Sequence, residues 1–456
     1  VTGAVKPFHL VARHGEHGLI DIEAMRAWPI EAGLAGQLAA LLVDPDARLD
    51  AAARDRLDAL AMLDDGAPAR RPPAELPPVT NAVLFLNQYC NLRCTYCYGD
   101  HGRYGAAGRM HPDTARQAVR WLLAQAGTAT VVHLGFLGGE PLLDFPLLRE
   151  VTDYALAAAA GQGKDVDFYL TTNGTLLDDE IVAFLQAHRF KVQVSLDGPA
   201  GLHDRQRPFA NGRASHAHIV PGVEALLAAL PGSGAHATLV GDSDPATVVR
   251  ALLDLGFREI SILPATPAAP VGDAGRDSPA YMHWLEAGAE DWLAAIRARD
   301  ADRLGILVSS TSLYAGIVSF LNGQTSDYPC GAGMGMVAID RTGEVYPCQR
   351  FVGAAEFRLG SIAGGGLRRA RYATSPVVAN ADCAGCVARR YCAGGCRHDH
   401  LAATGSDTTP APDLCRIRRR QFELAAWVVS RLTPDEVGFL RAADILPARP
   451  CPLDFL

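Results

Sequence analysis

Cys90, Cys94 and Cys97 lie in one short stretch, Cys90-Asn91-Leu92-Arg93-Cys94-Thr95-Tyr96-Cys97. Three thiolates at this spacing can hold three irons of a [4Fe–4S] cube and leave the fourth iron open. An open iron can bind a substrate-like ligand, so the pattern points to chemistry rather than to electron storage alone. Tyr96, inside the loop, suits a ring packed near such a cluster. A zinc site is the plainer alternative. Zinc takes four ligands, and the next cysteine is Cys330, so His101 would have to serve as the fourth.

The apolar run Ala82-Val83-Leu84-Phe85-Leu86 leads directly into the cysteine loop. A strand followed by CxxxCxxC resembles the radical S-adenosylmethionine (SAM) enzymes, whose signature loop follows the first barrel strand. Further markers stand at the ends of later strand-like segments, where α/β folds bind ligands. Gly138-Gly139-Glu140-Pro141 combines glycines that admit a close backbone approach with a carboxylate that can accept from an ammonium. The resemblance assigns this stretch to the amino group of SAM. Thr171-Thr172-Asn173-Gly174-Thr175 reads as a tight turn and by the same resemblance borders the SAM site at Asn173. Ser195-Leu196-Asp197-Gly198-Pro199 offers Ser195 as a SAM contact and Asp197 near the substrate mouth. His203-Asp204-Arg205-Gln206-Arg207 supplies cations for the SAM carboxylate, with Arg205 ranked ahead of Arg207. Asp197 and Asp204 are the candidate general bases. A surface ion pair is the bland reading of either arginine.

A second cysteine pattern occupies the C-terminal third. Cys330 is followed by Gly343 and Cys348, then by Cys383-x2-Cys386-x5-Cys392-x3-Cys396, and later by Cys415. This resembles the seven-cysteine SPASM domain of radical SAM peptide maturases, with zinc ribbons as the alternative. The resemblance implies a first auxiliary cluster on Cys330, Cys348 and Cys396, and a second on Cys383, Cys386, Cys392 and Cys415. Together with the first loop this gives three [4Fe–4S] clusters, one of them SAM-binding. Fully ligated relatives carry an eighth cysteine just before the first of the seven. Residues 322–327 contain none, which leaves an open iron or a non-cysteine ligand such as Asp327. Cys451 is left over and reads as a tail cysteine.

The elements that must position these groups follow from the hydrophobic pattern. Candidate strands are Val83–Leu86, Val131–Gly135, Asp167–Thr171, Lys191–Ser195, His236–Val240 and Glu259–Leu263, with helical stretches such as Pro112–Ala126 and Asp178–Ala187 between them. Repeated strand–helix units imply a parallel sheet or barrel. Six strands fall short of a complete eight-stranded barrel, so the expected fold class is α/β, a partial (β/α)6 radical SAM barrel over 80–310. A cysteine-rich SPASM domain is expected over 325–420, with Val337–Cys348 as a hairpin feeding a ligand, and a helix near Arg420–Arg431 within a tail over 421–456. Residues 1–70 read as a small α+β module, with strands at Phe8–Val11 and Gly18–Ile22 around the turn His14–His17. Helices follow near Ala35–Val43 and Ala51–Leu63, then a Pro-rich linker over 71–79. The module resembles the peptide-recognition domains of peptide-modifying radical enzymes, which can add a leader peptide as an extra strand.

Composition sets the outer bounds. The chain has 456 residues, 49% of them hydrophobic, and a net charge of -8. That size allows about three domains. The acidic balance argues against a nucleic-acid-coating surface. No apolar run of about 18 residues suggests a membrane span, and the first ten residues do not read as a secretory signal. Eleven clustered cysteines favour metal binding over disulfides, and thiolate clusters need a reducing compartment, so the expected location is cytoplasmic. The reading is an enzyme that reductively cleaves SAM and installs intramolecular crosslinks, thioether, C–C or C–N, in a ribosomally made peptide or protein with a leader. An external donor such as flavodoxin or ferredoxin would supply the electron. The stretches Cys97-Tyr98-Gly99-Asp100-His101-Gly102 and Lys6-Pro7-Phe8-His9-Leu10 resemble quinohemoprotein amine dehydrogenase maturation proteins, which form thioethers to acidic residues. The alternatives are side-chain oxidation of the anaerobic sulfatase-maturase kind and a non-enzymatic iron–sulfur carrier. Gln349 argues against the former, because the resembling maturases carry an acidic base after the cysteine that corresponds to Cys348.

Overall fold

The computed structural model describes residues 4–64, 76–241, 243–265, 278–373 and 377–446. Six strands in chain order build the core: β4 (Asn81–Phe85), β5 (Val131–Leu137), β6 (Asp165–Thr172), β7 (Lys191–Ser195), β8 (Gly234–Leu239) and β9 (Glu259–Pro264), all parallel and adjacent in that order. Parallel neighbours need crossovers, supplied by helices such as Pro112–Gln125, Phe145–Ala160, Asp179–Ala187 and His216–Ala229. β4 is buried along its whole length, as befits a strand covered on both faces. The helices cap as their sequences dictate. Asp178 accepts from the Ile181 amide and Asp244 from the Ala246 and Thr247 amides, satisfying donors that the first turn leaves open. Asp178 is thus the cap of its helix rather than its first residue.

The expected hairpin forms, and it joins the sheet. β10 (Met336–Ile339) lies parallel to β4, with Ala338 opposite Val83. β11 (Glu344–Tyr346) and β12 (Gly360–Ser361) extend the edge antiparallel. The sheet therefore has nine strands, ordered β12-β11-β10-β4-β5-β6-β7-β8-β9. The cysteine-rich segment is built onto the strand that carries the first cysteine loop.

The N-terminal module is a three-stranded antiparallel sheet, β1 (Phe8–Arg13), β2 (Glu16–Asp21) and β3 (Arg26–Ile30), followed by helices Ala32–Val43 and Ala51–Ala59. The β1–β2 turn places His14 and Gly15 at positive φ, as a two-residue hairpin requires. β3 escaped the sequence reading because Pro29 sits inside it; proline is tolerated on an edge strand. The module rests on the long helix Pro412–Ser430 through His9 to Glu423 at 3.2 Å, and Arg13 pairs with Glu290 at 2.8 Å. Glu23 receives both Arg389 and Arg390 from the cysteine-rich segment. Pro412–Ser430 starts eight residues before the helix expected at Arg420, with Pro412 in its first turn, and so takes in Cys415. Most of the expected linker, and Cys451, lie outside the described residues. Among the described residues no single helix is long and apolar enough to cross a membrane.

Candidate active site and auxiliary cysteine sites

β4 delivers the chain into the cysteine loop, which is pinned by backbone bonds from Arg93 to Pro208 O and from Thr95 to Gln206 O. The Cys90 sulfur accepts from the Leu92 amide at 3.4 Å and faces Asn173 Nδ2 at 3.6 Å. The three thiols sense one another: burial first, then the fields of Cys90 and Cys97, push Cys94 up to about 12. Cys90 is raised to about 11, chiefly by burial and then by Glu140. Such thiols stay protonated until a metal displaces the proton. Among the described residues no group of three or more His, Cys, Asp or Glu side chains could hold a single metal ion. A four-iron cube is a larger object than one ion, and sulfurs seated on backbone amides suit it. His101, the alternative zinc ligand, keeps a buried Nδ1 without a hydrogen-bond partner.

The markers from three strand ends converge on this loop. Glu140 is buried, and one carboxylate oxygen accepts from the Leu142 amide and the Thr172 hydroxyl at 3.0 and 2.8 Å. The other accepts from the Asn173 amide at 2.7 Å. Burial nonetheless pushes Glu140 up to about 7, so an incoming ammonium has a carboxylate to ionise. Gly139 admits no side chain, since a Cβ there would stand 1.7 Å from the Tyr89 carbonyl oxygen. Gly138 has φ +134, and Pro141 opens the short helical turn that follows. Asn173 Nδ2 also bonds Asn91 Oδ1 at 2.8 Å. Ser195 ends β7 directly opposite His236.

The charged candidates fall differently from the expectation. Asp197 is fully buried and grips Arg207 through two bonds, 2.9 and 3.0 Å, while the Tyr96 hydroxyl donates to it at 2.6 Å. The Thr238 amide donates to the same carboxylate at 2.9 Å. With both oxygens committed, Asp197 is an anchor that fixes Tyr96 and Arg207, not a proton acceptor open to a substrate. Asp204 accepts from the Ser215 and His216 amides and so holds the start of the next helix. Arg205 is exposed, whereas Arg207, two residues on, is buried with its guanidinium over the Tyr96 ring at 5.2 Å. The cation beside the cluster loop is therefore Arg207. Residues two apart on the short helix Ala200–Gln206 and just past it face different sides, which their spacing alone did not rank.

In the C-terminal segment, Cys348 is pushed up to about 12 by burial, with Cys396 and Cys330 the next influences. Each of these three sulfurs accepts from a backbone amide, Ala332, Arg350 and Asp399 respectively for Cys330, Cys348 and Cys396. Cys383, Cys386, Cys392 and Cys415 line one pocket. The seven cysteines thus gather as three and four. Asp327, the non-cysteine ligand the sequence offers, is buried and takes Arg390 at 2.6 Å. Arg350 lies between the two halves of the molecule, bonding Asp399 at 2.8 Å with its guanidinium 5.4 Å from the Tyr98 ring. Sequence reasoning missed Arg350, which follows Cys348 by two residues, and also His236. Burial and the neighbouring Arg207 push the His236 imidazole down to about 4.

The site thus combines a strand-end loop with three thiols, a buried carboxylate that follows two glycines, and two further cysteine groups. Residues 84–256 match the radical SAM superfamily. A serine-type anaerobic sulfatase-maturating enzyme of Klebsiella aerogenes is 25% identical over 350 residues, covering 72% of this chain and 82% of that one. A cysteine-type anaerobic sulfatase-maturating enzyme of Clostridium perfringens is 30% identical over 142 residues, 29% of this chain and 36% of that one. An uncharacterised protein of Methanocaldococcus jannaschii is 30% identical over 32% of this chain, which spans 47% of that relative. The fold is shared with native anSMEcpe with bound AdoMet and Cp18Cys peptide, at TM-score 0.63 and 20% identity over 81% of this chain and 100% of that one. It is also shared with Streptococcus suis SuiB bound to precursor peptide SuiA, at TM-score 0.50 and 13% identity over 91% and 99%.

Proposed function

We propose that this enzyme reductively cleaves SAM and installs an intramolecular crosslink in a ribosomally made peptide or protein. The observation that carries the reading is the gathering of ten cysteines into three groups, one at the strand ends and two in the segment built onto the same sheet. Cys90, Cys94 and Cys97 would hold the SAM-binding cluster. Gly138, Gly139, Glu140 and Pro141 would cradle the amino end of SAM, with Asn173, Ser195, Tyr96 and Arg207 around the rest. The auxiliary groups would hold two further clusters. When bound, the SAM-loaded cluster supplies a 5′-deoxyadenosyl radical that abstracts hydrogen from carbon, and the protein's part is placement and exclusion of water. Glu140 neutralises and orients the ammonium, and Asp197 locks Tyr96 and Arg207. Closing a crosslink removes two hydrogens from the peptide. One would leave as the abstracted atom and the other as a proton plus an electron, and the residues of the auxiliary groups would hold the cluster that takes up the electron. The structural neighbours are bound to peptides, Cp18Cys and SuiA, which supports a peptide substrate, and the N-terminal sheet suits capture of a leader. An external one-electron donor, flavodoxin or ferredoxin, would reduce the SAM-binding cluster.

The similarity to sulfatase-maturating enzymes favours a second reading, oxidation of one side chain to an aldehyde. Gln349 occupies the position where those enzymes, by resemblance, carry an acidic base, and it opposes that reading. One experiment separates the two. The anaerobically reconstituted chain is incubated with SAM, dithionite and short peptides encoded beside it. A peptide that loses two hydrogens, resists fragmentation between two residues and does not react with a hydrazide supports the crosslink. A hydrazide-reactive product establishes side-chain oxidation instead. Clusters that load without yielding 5′-deoxyadenosine would leave an electron carrier.

A further inference from the structure

Two cysteines of the four-cysteine pocket, Cys386 and Cys392, bracket Arg389 and Arg390. Both guanidiniums turn to one carboxylate of the N-terminal module. Arg389 bonds Glu23 Oε1 at 2.8 Å and the Cys386 carbonyl at 3.0 Å. Arg390, which is buried, bonds Glu23 Oε2 at 2.7 Å and Asp327 Oδ1 at 2.6 Å. Its own carbonyl accepts from the Ser326 amide at 2.8 Å. Two carboxylates thus face two planar guanidinium forks, and both forks stand on the short stretch between the cysteines. The helix in that stretch, Arg389–Cys392, has four residues and would not persist alone, so its geometry comes from these bonds.

The turn that presents Glu23 is itself fixed. It joins β2 to β3, and the buried Asp21 accepts from the Glu23 and Ala24 amides, each at 2.9 Å. Ile22 and Met25 on either side are buried, and Met25 packs with Ile20 in the main apolar core. The same module grips the helix that carries Cys415, through His9 to Glu423 at 3.2 Å and the Arg13 guanidinium 5.3 Å from the Trp427 ring. The other cysteine group is held differently. Cys348 follows the hairpin on β4, and Arg350 and Arg397 pair with Asp399 and Asp407 of their own segment.

We propose that Glu23 is a positioning residue of the second auxiliary site: through Arg389 and Arg390, the N-terminal module holds Cys386 and Cys392 in the arrangement that takes a cluster. The inference rests on the auxiliary-cluster part of the reading above. It gives the module a part beyond capture of a leader, since a chain shortened by the module would lose iron as well as peptide affinity.

The test uses the full chain as the parent, as Glu23→Gln and as Glu290→Gln. Glu23→Gln keeps the shape of the side chain and removes its charge. Glu290→Gln removes the module's pair with Arg13, 2.8 Å long, and leaves the pairs of Arg389 and Arg390 in place. The readouts are the alkylation rate of each cysteine in the metal-free protein, resolved by peptide mass spectrometry, and iron content and EPR of the reduced protein after anaerobic reconstitution. In Glu23→Gln, Cys386 and Cys392 should react several-fold faster than in the parent, with Cys90, Cys94, Cys97 and Cys348 unchanged. Iron should fall from about twelve to about eight per chain, the loss of one of three [4Fe–4S] clusters, and one cluster signal should leave the EPR spectrum. Glu290→Gln should match the parent throughout. Unchanged rates at Cys386 and Cys392 overturn the proposal, and so does iron that stays at about twelve in Glu23→Gln. An equal rise at every cysteine, or the same rise in Glu290→Gln, also overturns it, because either marks general loosening. A parent with about four irons fails the auxiliary-cluster reading itself, and the alkylation rates then still decide whether Glu23 holds the two thiols.

Discussion

The strand-end site proposed for SAM and the C-terminal cysteine groups are built on opposite plans. The first sits on the ends of parallel strands, where Glu140 is held by three donors and Asp197 by Arg207, Tyr96 and Thr238. The second sits on short helices and turns, such as Ala381–Ala384 and Arg389–Cys392, tied down by arginine–carboxylate pairs like Arg390–Asp327 and Arg371–Asp407. A sheet fixes its strand ends whether or not a ligand is present. Four-residue helices do not persist alone, so the cysteine-rich segment draws order from its ion pairs and from its hairpin on β4. The molecule thus pairs a scaffolded site with one that metal binding would complete.

The largest effect expected on this contrast is from the cysteines. Cys94→Ala should abolish formation of 5′-deoxyadenosine while lowering iron by about four per chain and leaving thermal unfolding little changed. Cys383→Ala should instead lower the unfolding temperature and speed amide exchange across the C-terminal segment. Calorimetry and exchange on both variants check this, and equal destabilisation by the two would break the comparison. Stripping iron with a chelator extends it: exchange should rise through residues 325–420 well before it rises in β4–β9.

Breaking the buried pair comes next. Asp197→Asn leaves Arg207 charged and half-satisfied in the interior, at a cost of about 3–5 kcal/mol. Denaturant unfolding should show it, together with weaker SAM binding, because Tyr96 and Arg207 lose their anchor. Arg205→Ala, at an exposed position, should change neither by more than about 0.5 kcal/mol. A larger loss of SAM affinity there than in Asp197→Asn would restore Arg205 to the site.

The smallest expected effect is a pH dependence. Burial raises Glu140 from 4.5 to about 7, so the folded metal-free protein holds that proton more tightly than the unfolded chain. Its contribution favours folding below about pH 4.5 and is lost as the pH rises through about 7. An ammonium beside Glu140 favours the carboxylate. SAM binding should therefore release up to one proton near pH 6, and affinity should climb with pH and level off above about 7. Calorimetry in buffers of different ionisation enthalpy measures the proton; in Glu140→Gln the pH trend should vanish.

Much of this was legible in the chain because it is local. The strand Lys191–Ser195 was read to the residue, and β4 to β9 each lie within two residues of the expected spans, since alternation and apolar runs are set by neighbours. The cysteine spacings, GGEP and the Asn173 turn carry their chemistry within a few residues for the same reason. What sequence spacing does not hold is distance across the fold. It ranked Arg205 above Arg207 and gave Asp197 and Asp204 as bases, because a carboxylate's partner, whether Arg207 or the amides of Ser215 and His216, is chosen by packing. It passed over β3, whose proline is harmless only at an edge, and could not tell that β10 would lie beside β4, with paired residues 255 positions apart. The sequence by itself determined the ligand types, their spacing and the strand–helix order. Only the tertiary structure decided which charges are spent on one another and how the cysteines gather into groups. Burial and pairing are properties of the assembled chain.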